Sequence, residues 1–212
     1  MTYLFAHLDR VGQLAGAHVG LVAVALAVAF AIALPLGVVA ARDPRVGTPL
    51  LAALSVIYTI PSLALLAVLV TWIGLGFATV LIALVAYGQF VLVRNIAEGL
   101  RGVPAATVDA ARGLGLSSRQ SLWRVELPLA LPSIIGGLRI AAVSMIALAT
   151  LAAYVGAGGL GVLIFEGLAF QQPQRILAGS ICAMALAIII DTLFRLAEKR
   201  ATRYRAPSPL SP

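Results

Sequence analysis

A chain of 212 residues that is 61% hydrophobic and only 11% charged carries more apolar surface than one soluble core can hide, since soluble domains hold roughly 25% charged residues. With a mean hydropathy of +1.04, its natural solvent is lipid, and its length allows one domain. The net charge of +7 would suit nucleic acid in a soluble protein. Here the basic residues sit in short loops beside apolar runs, where they set membrane topology, and nucleic-acid binding is excluded. Cys182 is the single cysteine, which excludes an internal disulfide and a cysteine-based metal site.

The chain order gives five apolar runs, each long enough for a hydrocarbon core of about 30 Å. Residues 1–18 read as an external N-terminus, with His7 and His18 as polar residues near the membrane surface. The first run, 19–41, lacks a basic region immediately before it and is followed by four more, so it reads as a retained helix rather than a cleaved signal. The others are 49–72, 77–93, 134–154 and 176–197. With the N-terminus outside, 13 of the 15 basic residues fall on the inner side and only Arg10 and Arg175 remain outside. The excess of inner Lys and Arg orients the chain N-terminus out and C-terminus in. Residues 19–198 form the transmembrane domain and 199–212 a basic cytoplasmic tail, disordered in its Pro/Ser-rich part, 206–212.

Two connections depart from simple loops. The stretch 94–132 is the one long cytoplasmic connection. Pro104 suits the first position of a helix and Gly115 the residue just past its end. Ser117 with Gln120 three residues on suggests a capping box for a second helix, which Pro128 and Pro132 end. A helix–turn–helix on the cytoplasmic face is expected. On the outer side, 156–174 opens with Gly156, Gly158, Gly159 and Gly161, and its apolar part, 160–170, is too short to span. A surface or re-entrant helix is expected there, a candidate for the outer wall of a pathway.

Within the cytoplasmic loop, Asp109-Ala110-Ala111 is followed after three residues by Gly115, then after nine by Val125, and by Leu127-Pro128. This resembles the coupling loop (98–132 in this chain) of binding-protein-dependent ABC importer permeases, whose pattern begins Glu-Ala-Ala and has Ile where Val125 stands. Thr59-Ile60-Pro61-Ser62-Leu63-Ala64, Arg112-Gly113-Leu114-Gly115, Val125-Glu126-Leu127-Pro128-Leu129-Ala130-Leu131-Pro132, Gly156-Ala157-Gly158-Gly159-Leu160-Gly161 and Ile176-Leu177-Ala178-Gly179 look like the permeases for glycine betaine, carnitine and choline. The resemblance covers 49–198 and implies an all-α integral membrane fold of about five transmembrane helices with a helix–turn–helix coupling loop, like the methionine permeases. It implies uptake of osmoprotectants by alternating access in the cell inner membrane. It also implies partners: a pair of ABC ATPase subunits, a second permease subunit, identical or related, and an extracytoplasmic binding protein. Asp109, Ala110, Ala111, Gly115, Val125, Leu127 and Pro128 then form the coupling element. The small side chains of Ala110 and Ala111 let its helix sit deep in a partner's groove.

The spans add candidates for the pathway. Pro61 removes a backbone donor and should kink the second span, and Thr59 and Ser62 are placed either to repair the kink or to line a path. Tyr58, Tyr87, Gln89, Asn95, Thr150 and Tyr154 are polar groups at or inside spans. Each either bonds a neighbouring helix or meets solute, and the three tyrosines suit a quaternary ammonium through cation–π contact. Arg139 lies near the inner end of its span and is expected to snorkel to water, while Asp191 and Arg195 are spaced to pair along one helix face. No Gly-rich phosphate loop surrounds Lys199, the one lysine. ATP and Mg are thus expected to be used by the partner ATPase, with no cofactor on this chain. A passive osmolyte channel, a different class, would need no coupling loop. An intramembrane protease would need a histidine or metal ligands within the spans. A methionine or other amino-acid importer remains the alternative within the class.

Overall fold

The protein is described here over residues 2–202 of a computed structural model. The chain begins with a short helix, α1 (Thr2–Ala6), and then α2 (Leu8–Arg42), α3 (Pro44–Thr59), α4 (Ser62–Ile73) and α5 (Phe77–Arg101). Two small helices follow, α6 (Ala105–Gly113) and α7 (Ser118–Ser121). A π turn, Leu122–Glu126, leads into α8 (Leu127–Ala149), and a 3-10 turn, Thr150–Val155, into α9 (Gly161–Ala169) and α10 (Pro173–Thr202). Four helical stretches are long and apolar enough to cross a membrane: α2, α5, the continuous run Ser118–Val155, and α10. The pair α3 and α4 makes a fifth if counted as one bent span.

The centre is a packing of α2, α5 and α8. Along α2 the buried face reads Ala25, Ala29, Ala33, Gly37, Ala40, a stripe of small residues that lets backbones approach closely where lipid supplies no hydrophobic drive between helices. The Met145 methyl of α8 lies where a Cβ on Gly88 of α5 would stand, and Ile96 of α5 fills the space over Gly37. Leu84, Leu92, Val93, Met145 and Ile146 complete this core. By contrast, α10 exposes Leu177, Met184, Ile188, Ile189, Leu193 and Leu196, the apolar surface of a peripheral helix facing lipid.

The boundaries differ from the sequence expectation in ways that have physical causes. The helix carrying the first apolar run is longer than that run: α2 starts at Leu8 and carries His18 inside it, fully buried. The second span is broken rather than kinked, with α3 and α4 at 93°. Pro61 disfavours helical backbone in the residue before it, and Ile60 is extended, at φ −63° and ψ 129°. The third helix runs on to Arg101, with Arg94 and Glu98 paired at 2.8 Å along its exposed side. Pro104 caps α6 instead of opening it. Pro128 and Pro132 do not end a helix: Pro128 sits in the first turn of α8 and Pro132 is buried within it. The turn before Pro128 is widened, with the Leu127 N–H reaching the Leu122 carbonyl in a π bond.

Other expectations are met. The capping box forms, with the Ser117 N–H on Gln120 Oε1 at 2.9 Å and the Gln120 N–H on Ser117 Oγ at 3.3 Å. The segment after α8 folds as a short helix, α9. Asp191 and Arg195 pair at 2.6 Å. Arg139 does not end in water: it lies 2.9 Å from Glu198 and 3.6 Å from Asp191 of α10, so its charge is matched by side chains that sequence distance concealed. The basic tail divides at Thr202: α10 carries residues 199–202, and the remainder to 212 lies outside the described residues.

The tightest approach in the fold is between Gly161, at the start of α9, and the turn after α8. A Cβ at Gly161 would stand 1.8 Å from the Thr150 carbonyl oxygen, so backbone must move to admit it. Gly161→Ala is expected to destabilise the purified chain by about 1–3 kcal/mol, the usual cost of overpacking. Gly20→Ala, where nothing lies within 4 Å, is the matched control. Thermal unfolding in detergent compares the two, and equal midpoints would contradict this packing.

Candidate functional site

Two separate places gather the functional candidates. The first is the exposed projection between α5 and α8. Its helix α6 ends in a Schellman turn: the Leu116 N–H bonds the Ala111 carbonyl at 3.2 Å and the Gly115 N–H the Arg112 carbonyl at 2.9 Å. Gly115 takes φ +83°, a left-handed backbone that a side chain would strain. The reversal expected from the sequence is therefore built by the residues expected to build it. Asp109 and Ala110 are exposed, and Asp109 stands 3.6 Å from Arg112 on the same helix. Ala111 is not: it is buried against its own chain, which assigns it to holding the projection together rather than to its outer face. Val125 and Leu127 are half-buried and Pro128 is exposed. Leu114, passed over in the sequence, is 82% exposed at the tip of the turn. Its signal was a large apolar residue held between two glycines, Gly113 and Gly115.

The base of the projection is anchored. Glu126 is buried, yet its carboxylate accepts from Arg42 Nη2 at 2.9 Å and from Ser121 Oγ at 3.0 Å. Arg101 donates to the Ala40 carbonyl in the last turn of α2.

The second place is the bend between α3 and α4. There an open recess of about 400 Å³ is lined by Tyr58, Ile60, Ser62, Tyr87, Ser144, Ala147 and Leu148. Its volume lies within the range of small-molecule sites. The recess exists because the broken span swings away at Pro61 and leaves α5 and α8 exposed on that side. Tyr58 and Tyr87 meet edge to face, with ring centres 6.1 Å apart, and Phe90 lies 5.3 Å from Tyr58. The carbonyl of Ile60, which loses its helical donor at the break, is bonded by the Tyr87 hydroxyl. Repair of the bend thus falls to Tyr87, while Thr59 bonds Val56 within its own helix. Pro61 itself is exposed at the N-cap of α4.

Of the pathway candidates, Tyr58, Ser62 and Tyr87 come together here, with Thr59 and Pro61 at the same bend. Gln89 and Tyr154 do not join them. Gln89 is two residues from Tyr87 and therefore on another face of α5, where it donates to the Ala29 carbonyl of α2 at 3.1 Å. Tyr154 is 69% exposed in the turn after α8 and packs on Phe165 of α9. Asn95 and Thr150 bond the carbonyls of Val91 and Ala147 within their own helical runs. Ser144 belongs to the recess and was missed; a hydroxyl in the middle of an apolar run was its only mark.

His18 does something else again. Its Nε2 lies 3.1 Å from the Ile146 carbonyl of α8, and its Nδ1 accepts the Leu160 N–H at 3.3 Å. The Leu160 bond makes Nε2 the protonated nitrogen, donating to Ile146. Far from being a surface histidine, it ties α2 to α8 and to the glycine-rich turn. It pairs with no nucleophile there.

Residues 33–203 match the family model described as the binding-protein-dependent transport system inner membrane component. The carnitine transport permease protein OpuCB of Listeria monocytogenes is 37% identical, over 84% of this chain and 82% of that protein. The osmoprotectant import permease protein OsmW of Salmonella typhimurium is also 37% identical, over 88% and 90% of the two chains. Among solved structures, the MetNI methionine ABC transporter in an inward-facing conformation aligns with a TM-score of 0.80 and 20% identity, covering 88% of this chain and 94% of that one; at that identity it speaks for the fold. With the family model covering most of the chain and two relatives matched nearly end to end, this protein belongs to the inner-membrane permease components of binding-protein-dependent ABC importers.

Proposed function

We propose that this chain carries quaternary-ammonium osmoprotectants such as glycine betaine, choline or carnitine across the inner membrane. The observation that supports this reading most strongly is the identity with OpuCB and OsmW over most of both chains, proteins named for carnitine and osmoprotectant transport. The recess at Tyr58 and Tyr87 is consistent with it. Tyr58, 40% exposed and backed by the buried ring of Tyr87, offers a π face to a cation that has no N–H to donate, and the walls carry no formal charge to hold it too tightly for release. Selectivity then falls mainly to the binding protein.

In this reading the N-terminus lies outside and the end carrying Arg42, Arg101 and Arg124 faces the cytoplasm, as the distribution of basic residues favours. ATP and Mg are used by a separate pair of ATPase subunits, and two permease chains, identical or related, enclose the path. A binding protein delivers solute at the opposite end. Closure of the ATPases pushes on α6, the spans rock, and the recess changes the side it faces. Asp109, Ala110 and Leu114 form the outer surface of the pushed element; Ala111, Gly115, Val125, Leu127 and Pro128 give it shape.

Two experiments test this. Cells lacking other betaine carriers are expected to take up labelled glycine betaine in high salt only when this gene accompanies the rest of its transport system. Unlabelled choline or carnitine should compete and methionine should not. Uptake that persists without the gene removes the substrate assignment, and competition by methionine replaces it with an amino acid. Separately, Leu114→Glu places a charge where an apolar tip is expected to enter the ATPase. It should lower co-purification of the ATPase about tenfold or more, as loss of a central interface anchor costs about 2 kcal/mol, with membrane insertion unchanged. Full co-purification would remove Leu114 from the docking surface.

A further inference from the structure

Both ends of the projecting segment 102–125 are fastened to one turn of α2. At its entry, Arg101 donates to the Ala40 carbonyl. At its exit, Arg42 lies 2.8 Å from Glu126 Oε2 and 2.9 Å from Oε1, and Ser121 Oγ is 3.0 Å from Oε1. The same turn is fixed from a third side, since a Cβ on Gly47 of α3 would stand 2.4 Å from the Ala40 carbonyl oxygen.

The Arg42–Glu126 pair differs from the surface pairs around it. The Glu126 side chain is only 5% exposed, against 56% for Glu98 and 70% for Asp109 in their pairs. An exposed pair contributes little, but a buried carboxylate robbed of its cation is strongly unfavourable, so this pair holds its two helices together or forces them to rearrange. Glu126 is also the last residue of the π turn. Closing that turn to α geometry would rotate whatever precedes it by about 100° relative to α8, a discrete alternative setting for α6 and α7. The opposite end of α2 is equally committed: His18 holds the Ile146 carbonyl and the Leu160 N–H.

We propose that Arg42 and Glu126 are positioning residues for energy coupling, locking the π turn to α2 so that a push on α6 turns α2 and α8 as one body. The motion then reaches the far end through His18. This rests on the importer reading above.

The test uses the complete transporter, with its ATPase subunits and binding protein, in proteoliposomes. It measures labelled glycine betaine moved per ATP hydrolysed and the stimulation of ATP hydrolysis by loaded binding protein. Glu126→Gln is expected to assemble normally and hydrolyse ATP, while betaine moved per ATP falls about fivefold or more, the lower range of coupling between sites. The exchanged pair Arg42→Glu with Glu126→Arg should recover much of the ratio. Arg42→Lys, which keeps the charge but not the guanidinium whose Nη2 meets both carboxylate oxygens, should fall between. An unchanged ratio in Glu126→Gln overturns the proposal. So does loss of assembly in every variant with no intermediate behaviour in Arg42→Lys, since that marks a merely structural pair. If wild-type transporter moves no betaine, the substrate reading fails, and the pair is judged on stimulation, which Glu126→Gln should lose. If no ATPase joins the wild-type chain, the importer reading fails and the pair's role falls with it.

Discussion

Every peptide group that leaves helical geometry inside lipid must find a partner within the protein, because unsatisfied N–H and C=O groups there cost several kcal/mol each. Two of the places where the described chain leaves helical geometry are Ile60–Pro61 and the turn from Val155 to Gly161. Each break is closed by a side chain from another helix. Tyr87 of α5 takes the Ile60 carbonyl, and His18 of α2 takes the Leu160 N–H. A third interhelical bond, from Gln89 to the Ala29 carbonyl, ties α5 to α2 between them. The polar residues of the spans are thus largely the means by which a bent, interrupted bundle satisfies its backbone. Such bonds are individually worth about 0.6–2 kcal/mol, but each also decides where a helix is allowed to stop.

That placement has a consequence for the recess. A straight second span would have covered Tyr87 and Ser144; the 93° bend uncovers them. Tyr87 therefore serves two ends at once. Its hydroxyl is used in stabilising the bend, and its buried ring backs the more exposed Tyr58 on the wall of the recess. A solute that meets this wall meets π surface and two serine hydroxyls, with the strongest local donor already engaged. For a solute bearing a methylated cation this is favourable, because such a cation cannot donate hydrogen bonds and loses nothing when the acceptor is occupied.

How much of this was legible in the sequence depended on how local the cause was. The Schellman turn at Gly115 and the capping box at Ser117 and Gln120 were readable because neighbours within six residues build them. The break at Pro61 was readable in position but not in angle, since the angle depends on what α5 offers to the freed carbonyl. The roles of His18, Arg139 and Glu126 were not readable. Their partners lie 142, 59 and 84 residues away, and nothing in spacing or periodicity couples such positions. Gln89 and Tyr154 were polar residues in the right spans but on the wrong faces or at the wrong end, a distinction that hydropathy does not make. Pro128 and Pro132 misled for a subtler reason: proline removes a donor without having to end the helix, and α8 runs on through both.

The arrangement of these long-range contacts also says which helix connects the two ends of the molecule. Of the three central helices, α5 leads directly into the projection and α8 out of it, so both are continuous with it. Only α2 is joined to it through side chains, at Arg42 and Ala40. At about 1.5 Å rise per residue, the 24 residues from His18 to Arg42 correspond to roughly 36 Å, the depth of the hydrocarbon core with some of the interface. A helix lined with Ala25, Ala29, Ala33 and Gly37 packs closely on α5 and α8, and its grip on the projection is confined to one turn, where Arg101 bonds the Ala40 carbonyl and Arg42 meets the buried Glu126 carboxylate. The stiffness of the bundle comes from small residues spread along the whole helix, whereas its linkage to the projection is concentrated at one turn. A substitution in the stripe would therefore act along the whole bundle, and a substitution at that turn would act on the bundle's hold on the projection.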